Sequence, residues 1–87
     1  MLETVTVRMS RSDAHTPWGF RLQGGQEFHS SLLIGPVVSS SLAERAGLRD
    51  GDAVKELAGR PAASMRHADA QDAIVRSGND LDLVVQR

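Results

Sequence analysis

Three stretches of this chain alternate apolar and polar side chains with a period of two. In "LETVTVRMS", Val5, Val7 and Met9 share one face, and Thr4, Thr6 and Arg8 the other. In "GFRLQ", Phe20 and Leu22 oppose Arg21 and Gln23, and "DLDLVVQR" alternates in the same way. Successive strand residues point to opposite faces, so this pattern specifies strands with one dry side and one wet side. Such strands bury their apolar faces in a curled antiparallel sheet. The chain has 87 residues and no cysteine. With no disulfide available, burial of apolar surface has to supply the stability of so short a chain.

The remaining segments complete the outline. "LLIGPVV" reads as a third strand, with Gly35-Pro36 marking a bulge or an edge. "AVKEL" reads as a fourth strand, followed by a turn at "AGRP". "SSSLAERAG" has capping serines, helix formers and a terminating Gly47, the marks of one short helix. "SMRHADAQDAIVRSG" predicts a longer helix, with Ser64 as its N-cap and Gly78 just past its end. "RSDAHTP" and "QEFHSS" read as loops and "LRDGD" as a turn. The order β β β α β α β implies an α+β fold. The expectation is a curled antiparallel, partly open barrel of five to six strands, capped by one short and one long helix. No repeat, linker or low-complexity segment interrupts residues 1–87, which read as one domain.

Charge and residue types exclude several functions. Ten basic and eleven acidic residues, interspersed along the chain, leave a formal net charge of −1. A nucleic-acid or membrane-surface footprint needs a basic stripe, so neither partner is expected. No apolar run approaches the ~18 residues of a membrane span, and no signal-peptide pattern is present. The lack of cysteine fits a reducing compartment, and a cytoplasmic, monomeric domain is expected. Ser, His and Asp are all present, but no G-x-S-x-G elbow is, and no second acid or base accompanies His67. His15, His29 and His67 lie far apart, two of them in loops, which is not a metal-ligand spacing. No enzyme activity, metal or cofactor is expected.

One tripeptide stands out. The chain has one Trp, two Phe and no Tyr, and "PWGFRLQGG" places Trp18 and Phe20 on either side of Gly19. Gly19 sits where a loop enters the second strand, and without a Cβ it can take a positive φ and admit a close approach. The amides of Trp18, Gly19 and Phe20 would then form a nest for a carboxylate, with the aromatics walling an apolar pocket beside it. The bland reading treats Trp18 and Phe20 as core and Gly19 as a bulge. The tripeptide alone leaves both open.

"PWGFRLQGG" followed by "SLAERAGLRDGD" resembles a PDZ domain, and the resemblance extends over essentially the whole chain. The first stretch is similar to the family's carboxylate-binding loop. The second is similar to its short helix and the Gly-Asp before the fourth strand. With "MRHADAQ", the chain looks most like the N-terminal PDZ domains of the ALP/Enigma/ZASP group of PDZ-LIM proteins, scaffolds of muscle Z-discs and actin bundles. It departs from the family pattern in "VVSSSLA", which lacks a Pro-Gly, and in "KELAGRP", which stands where Ile-Asn-Gly is commoner.

The resemblance implies an adaptor that takes the C-terminal peptide of a partner as an added antiparallel strand against Phe20 to Gln23. The long helix forms the other wall, and His67, Gln71 and Ile74 share one face of it at i, i+4 and i+7. Ile74 would line the deep pocket with Trp18, Phe20 and Leu22, and His67 would meet the third residue from the peptide's end. A neutral imidazole there accepts a hydroxyl proton, the family's class I preference for Ser/Thr-x-hydrophobic-COOH. Arg21 would face acidic residues of the ligand, and Arg11 would reach the carboxylate through water, as a basic residue does in some relatives. Ala68, Ala70, Ala73 and Val75 are assigned to packing. Alpha-actinin-like cytoskeletal proteins are the implied partners. Two alternatives remain from the family: internal peptide segments, and phosphoinositides bound by Arg8, Arg11 and Arg21.

Overall fold

The computed structural model describes residues 2–87. Its strands are β1 (Thr4–Ser10), β2 (Phe20–Gly25), β3 (Ser30–Val37), β4 (Ala53–Leu57), β5 (Arg60–Pro61) and β6 (Asp80–Gln86). The helices are α1 (Leu42–Ala46) and α2 (His67–Arg76). The strands form one antiparallel sheet in the order β1-β6-β4-β3-β2, with β5 attached to β4. The sheet is open. β1 and β2 stand at its two ends and, among the described residues, each pairs on one side only, so the partly open form expected from the sequence is an open sheet. The sixth strand comes from "AGRP", where the turn proper is Ala58-Gly59 and Arg60–Pro61 pairs back onto β4.

The alternating segments do what their pattern dictates. Val7 and Met9 of β1 lie opposite Leu83 and Leu81 of β6, and all four are buried. Leu32 and Ile34 of β3, Val54 and Leu57 of β4, and Ala70 and Ala73 of α2 extend the core, which also takes in Trp18, Ala43, Leu48, Ala62, Met65 and Val85. Burying a Val, Leu or Ile side chain fully contributes about 1.5–3 kcal/mol. A core of this composition is therefore the main stabilising element of a chain without crosslinks.

α2 starts later than the sequence suggests. Arg66, not Ser64, is its N-cap residue. The cap is supplied instead by two carboxylates: Asp69 accepts from the Arg66 N–H at 3.2 Å, and Glu27 accepts from the His67 N–H at 2.9 Å. Negative charge is favoured at this end of a helix by the exposed N–H groups and the helix dipole. Glu27 comes from a single 3-10 turn, Gln26–Phe28, inside the segment expected to be loop. At the other end Gly78 follows the cap residue Ser77 with φ +71°, as its position predicts. α1 begins at Ser41, whose hydroxyl accepts from the Glu44 N–H at 3.2 Å. No helix among the described residues is long and apolar enough to cross a membrane.

Candidate functional site

Among the described residues no strand pairs with the outer edge of β2, and α2 packs beside it. Gly25 makes the approach possible. A Cβ there would lie 2.7 Å from the His67 backbone nitrogen. Between β2 and α2 runs a groove of about 640 Å³ lined by residues 17–22, Pro36, Val38, His67, Gln71, Ile74 and Val75. Trp18 is buried, while Phe20, Leu22 and Ile74 are half-buried. That leaves apolar surface facing an open channel.

The loop ahead of β2 has a defined peptide orientation. The Trp18 carbonyl accepts from the Ala43 N–H at 2.9 Å, and the Gly19 carbonyl accepts from the Val38 N–H at 2.8 Å. Both carbonyls are thus tied back to α1 and to the residue after β3. In a planar trans peptide the next N–H points opposite to the carbonyl. The N–H groups of Gly19 and Phe20 therefore point away from these anchors. Gly19 holds φ +94°, and its missing Cβ would lie 2.5 Å from Ser41 Oγ. The glycine is required by Ser41 behind the loop, which the sequence did not reveal.

His67 sits at the opposite end of the groove. Its Nδ1 lies 3.0 Å from the Gly24 carbonyl oxygen, and the Gln71 amide lies 3.2 Å from its Nε2. The i, i+4, i+7 spacing does bring His67, Gln71 and Ile74 onto the groove side of α2.

Other sequence candidates fall elsewhere. Gln23 is exposed in β2 and is absent from the groove lining. Its side chain lies over Gly35, with Cγ and Nε2 each 3.2 Å from where a Cβ there would stand. Arg21 lines the groove with an exposed side chain. Arg11 donates to Thr16 O at 2.8 Å, to Gly78 O at 3.0 Å and to Asn79 Oδ1 at 3.2 Å, and lies 4.4 Å from the centroid of the Trp18 ring. Its guanidinium is occupied by the protein itself. Arg8 on β1 and Arg21 on β2 belong to strands at opposite ends of the sheet order. Sequence reasoning missed Pro17, Pro36, Val38 and Val75 as lining residues. Val75, assigned to packing, is 74% exposed. Its spacing from His67 and Gln71 (i, i+4, i+8) was the signal available.

The architecture has relatives of known family. A family model for the PDZ domain matches residues 6–86. The PDZ and LIM domain protein Zasp of Drosophila melanogaster is 48% identical over 85 residues, covering 98% of this chain and 4% of that protein. PDZ and LIM domain protein 2 of Rattus norvegicus is 42% identical over 71 residues, covering 82% of this chain and 20% of that protein. PDZ and LIM domain protein 7 of Xenopus laevis is 43% identical over 75 residues, covering 86% and 18%. This chain therefore spans a fifth or less of each of these relatives. A solved PDZ domain from choanoflagellate SHANK1, bound to a GIRK3 peptide, superposes with a TM-score of 0.87 at 29% identity, covering 100% of this chain and 94% of that one. Fold, sequence and the β2–α2 groove agree: this chain belongs to the PDZ domain family, and its relatives include PDZ-LIM proteins.

Proposed function

We propose that the groove binds the free C-terminus of a partner protein as an antiparallel strand added to β2. The observation that carries this reading is the loop at Trp18-Gly19, whose carbonyls are anchored behind it. The amides of Gly19 and Phe20 are thereby presented together as a carboxylate nest. The free edge of β2 offers main-chain hydrogen bonds, and Trp18, Phe20, Leu22 and Ile74 take the peptide's last, hydrophobic side chain. His67 accepts a Ser or Thr hydroxyl from the third residue from the end, the class I preference, with Gln71 beside it. Arg21 faces acidic ligand residues at the rim, where such pairs are worth ~0–1 kcal/mol. The relative bound to a peptide supports the same use of this fold.

One buried side chain is worth ~1.5–3 kcal/mol, and association costs offset much of it. The expected affinity is therefore about micromolar. Useful binding then comes from tethering to further domains. The names of the relatives support a place in a PDZ-LIM protein; a cytoplasmic scaffold of the actin cytoskeleton or Z-disc, with alpha-actinin-like partners, is the role that the sequence resemblance implies. The reading is of an adaptor without catalytic activity.

A library of free C-terminal peptides, with each sequence repeated as its amide, tests the proposal. Micromolar binding by peptides ending in Ser/Thr-x-hydrophobic, lost on amidation, is the expected result. Equal binding by the amides would show that the Gly19–Phe20 amides do not read a carboxylate. It would favour internal segments as ligands instead.

A further inference from the structure

We propose that Arg11 is a positioning residue for the groove: its guanidinium staples the loop before β2 to the end of α2 and so sets the width of the deep pocket. The two walls of that pocket come from separate parts of the chain. Trp18, Gly19 and Phe20 form one wall, and Ile74 and Val75, in the last turns of α2, form the other. Arg11 touches both sides. Nη1 donates to Thr16 O, two residues before Trp18, while Nη2 donates to Gly78 O and Nε to Asn79 Oδ1, just past α2. Its backbone N–H also donates to Asn79 O at 2.9 Å.

The same guanidinium lies over the Trp18 ring, 4.4 Å from its centroid. Trp18 needs such a restraint, because its buried Nε1 has no hydrogen-bond partner among the described residues. The indole is held by packing and by the cation on its face. Only a planar fork reaches three acceptors while stacking on a ring; lysine's single ammonium does not. Arg11 thus acts through Trp18 and α2, without a contact of its own to the peptide carboxylate.

This inference rests on the groove being the peptide site, and the test keeps the two separable. Arg11→Lys and Arg11→Met are compared with wild type on peptides identical except for a last residue of Ala, Val, Leu or Phe, each as free acid and as amide. The spread of affinities across the four endings should shrink by about threefold or more in both variants, the scale of one cation–π or charge-assisted contact. The acid-to-amide ratio should stay at its wild-type value. A ratio that falls in Arg11→Met and is kept in Arg11→Lys would assign Arg11 to the carboxylate and overturn the staple. An unchanged spread with only a lower Tm would also overturn the positioning role, leaving Arg11 a stabilising residue alone.

Amide hydrogen exchange without peptide supplies the independent readout. Residues 18–20 and 75–78 should exchange faster together in Arg11→Lys, with β1, β4 and β6 unchanged. Asn79→Ala, which removes one arm only, should show the same pattern more weakly. Acceleration of one segment alone would overturn the staple. A wild type that binds none of the peptides while exchange couples the two segments would defeat the peptide reading and the selectivity role, and leave only the mechanical link.

Discussion

His67 Nδ1 lies 3.0 Å from the carbonyl oxygen of Gly24. A carbonyl only accepts, so Nδ1 carries the proton, and the neutral ring keeps its lone pair on Nε2. The Gln71 amide, 3.2 Å away, donates to that lone pair. β2 therefore selects the tautomer whose Nε2 can accept a hydrogen bond. A ligand hydroxyl would displace the Gln71 amide from an acceptor that is already oriented.

A peptide with Thr third from the end should exploit that lone pair as a hydrogen-bond acceptor. The same peptide with Val there should bind more weakly. His67→Ala should cost the Thr peptide on the order of 1 kcal/mol, the net worth of a neutral hydrogen bond, and the Val peptide much less. Titration calorimetry on the four combinations yields the coupling directly, because packing losses cancel. A coupling within error of zero would remove His67 from ligand selection.

Gly19 links binding to stability. With φ +94°, any side chain there is strained, and the Cβ would collide with Ser41 at the start of α1. Gly19→Ala should therefore destabilise the fold by about 1–3 kcal/mol and weaken peptide binding through displacement of the loop. The effect arises behind the loop, not in the space a carboxylate would enter. Adding Ser41→Gly should relieve part of the clash. Denaturant melts of both variants check this. A Gly19→Ala protein with wild-type stability and affinity would show that the loop yields easily and does not hold the amides in place.

How much of this was legible in the sequence follows from range. Period-two alternation specified β1 and β6, because Val7, Met9, Leu81 and Leu83 need only one shared dry face to declare themselves. Ser41 and Gly78 announced helix ends through local backbone chemistry. Ser64 misled because α2 begins after Arg66 and is capped by Asp69 and by Glu27, the latter 40 residues distant in sequence from His67. The bonds of Arg11 to Gly78 and Asn79 had no local sign, because they join residues 67 and 68 apart in the chain. β5 was missed because two residues carry no periodicity. The groove face of α2 was visible from spacing, but the Gly19–Ser41 collision is a tertiary contact with no sequence mark.

Asp52 and Arg87 illustrate the same range in the core. Asp52 is 2% exposed and accepts two bonds from Arg87, at 3.0 Å from Nε and 2.6 Å from Nη2. Asp52 also accepts from the Arg49 N–H, and Arg87 donates to Gly47 O. Removing one partner leaves the other charge buried and unpaired. Arg87→Ala should cost about 3 kcal/mol, the low end for a buried pair because the Arg87 side chain keeps 18% exposure. Adding Asp52→Asn should recover part of that loss. A urea midpoint unchanged in Arg87→Ala would mean that solvent already satisfies Asp52.

The β4–β5 turn carries a correctable strain. Ala58 and Gly59 form a two-residue hairpin loop with φ +52° and φ +78°. Positive φ at both positions is the geometry that Asn-Gly fits best, and a non-glycine residue in the left-handed region costs about 1–2 kcal/mol. Asparagine lessens that cost by bonding to its own backbone. Ala58 is partly buried against the core and lines a surface depression with Arg60, Ala73 and Arg76. Ala58→Asn should stabilise the domain by about 0.5–1 kcal/mol and raise Tm by about 2–8 °C. Ala58→Val should do the reverse, since a β-branched residue tolerates this region least. Peptide affinity should not change in either variant, because Ala58 does not line the groove. A thermal melt in which Ala58→Asn gains nothing would show that the hairpin is held by its pairing to β4 and β6 and not by its turn.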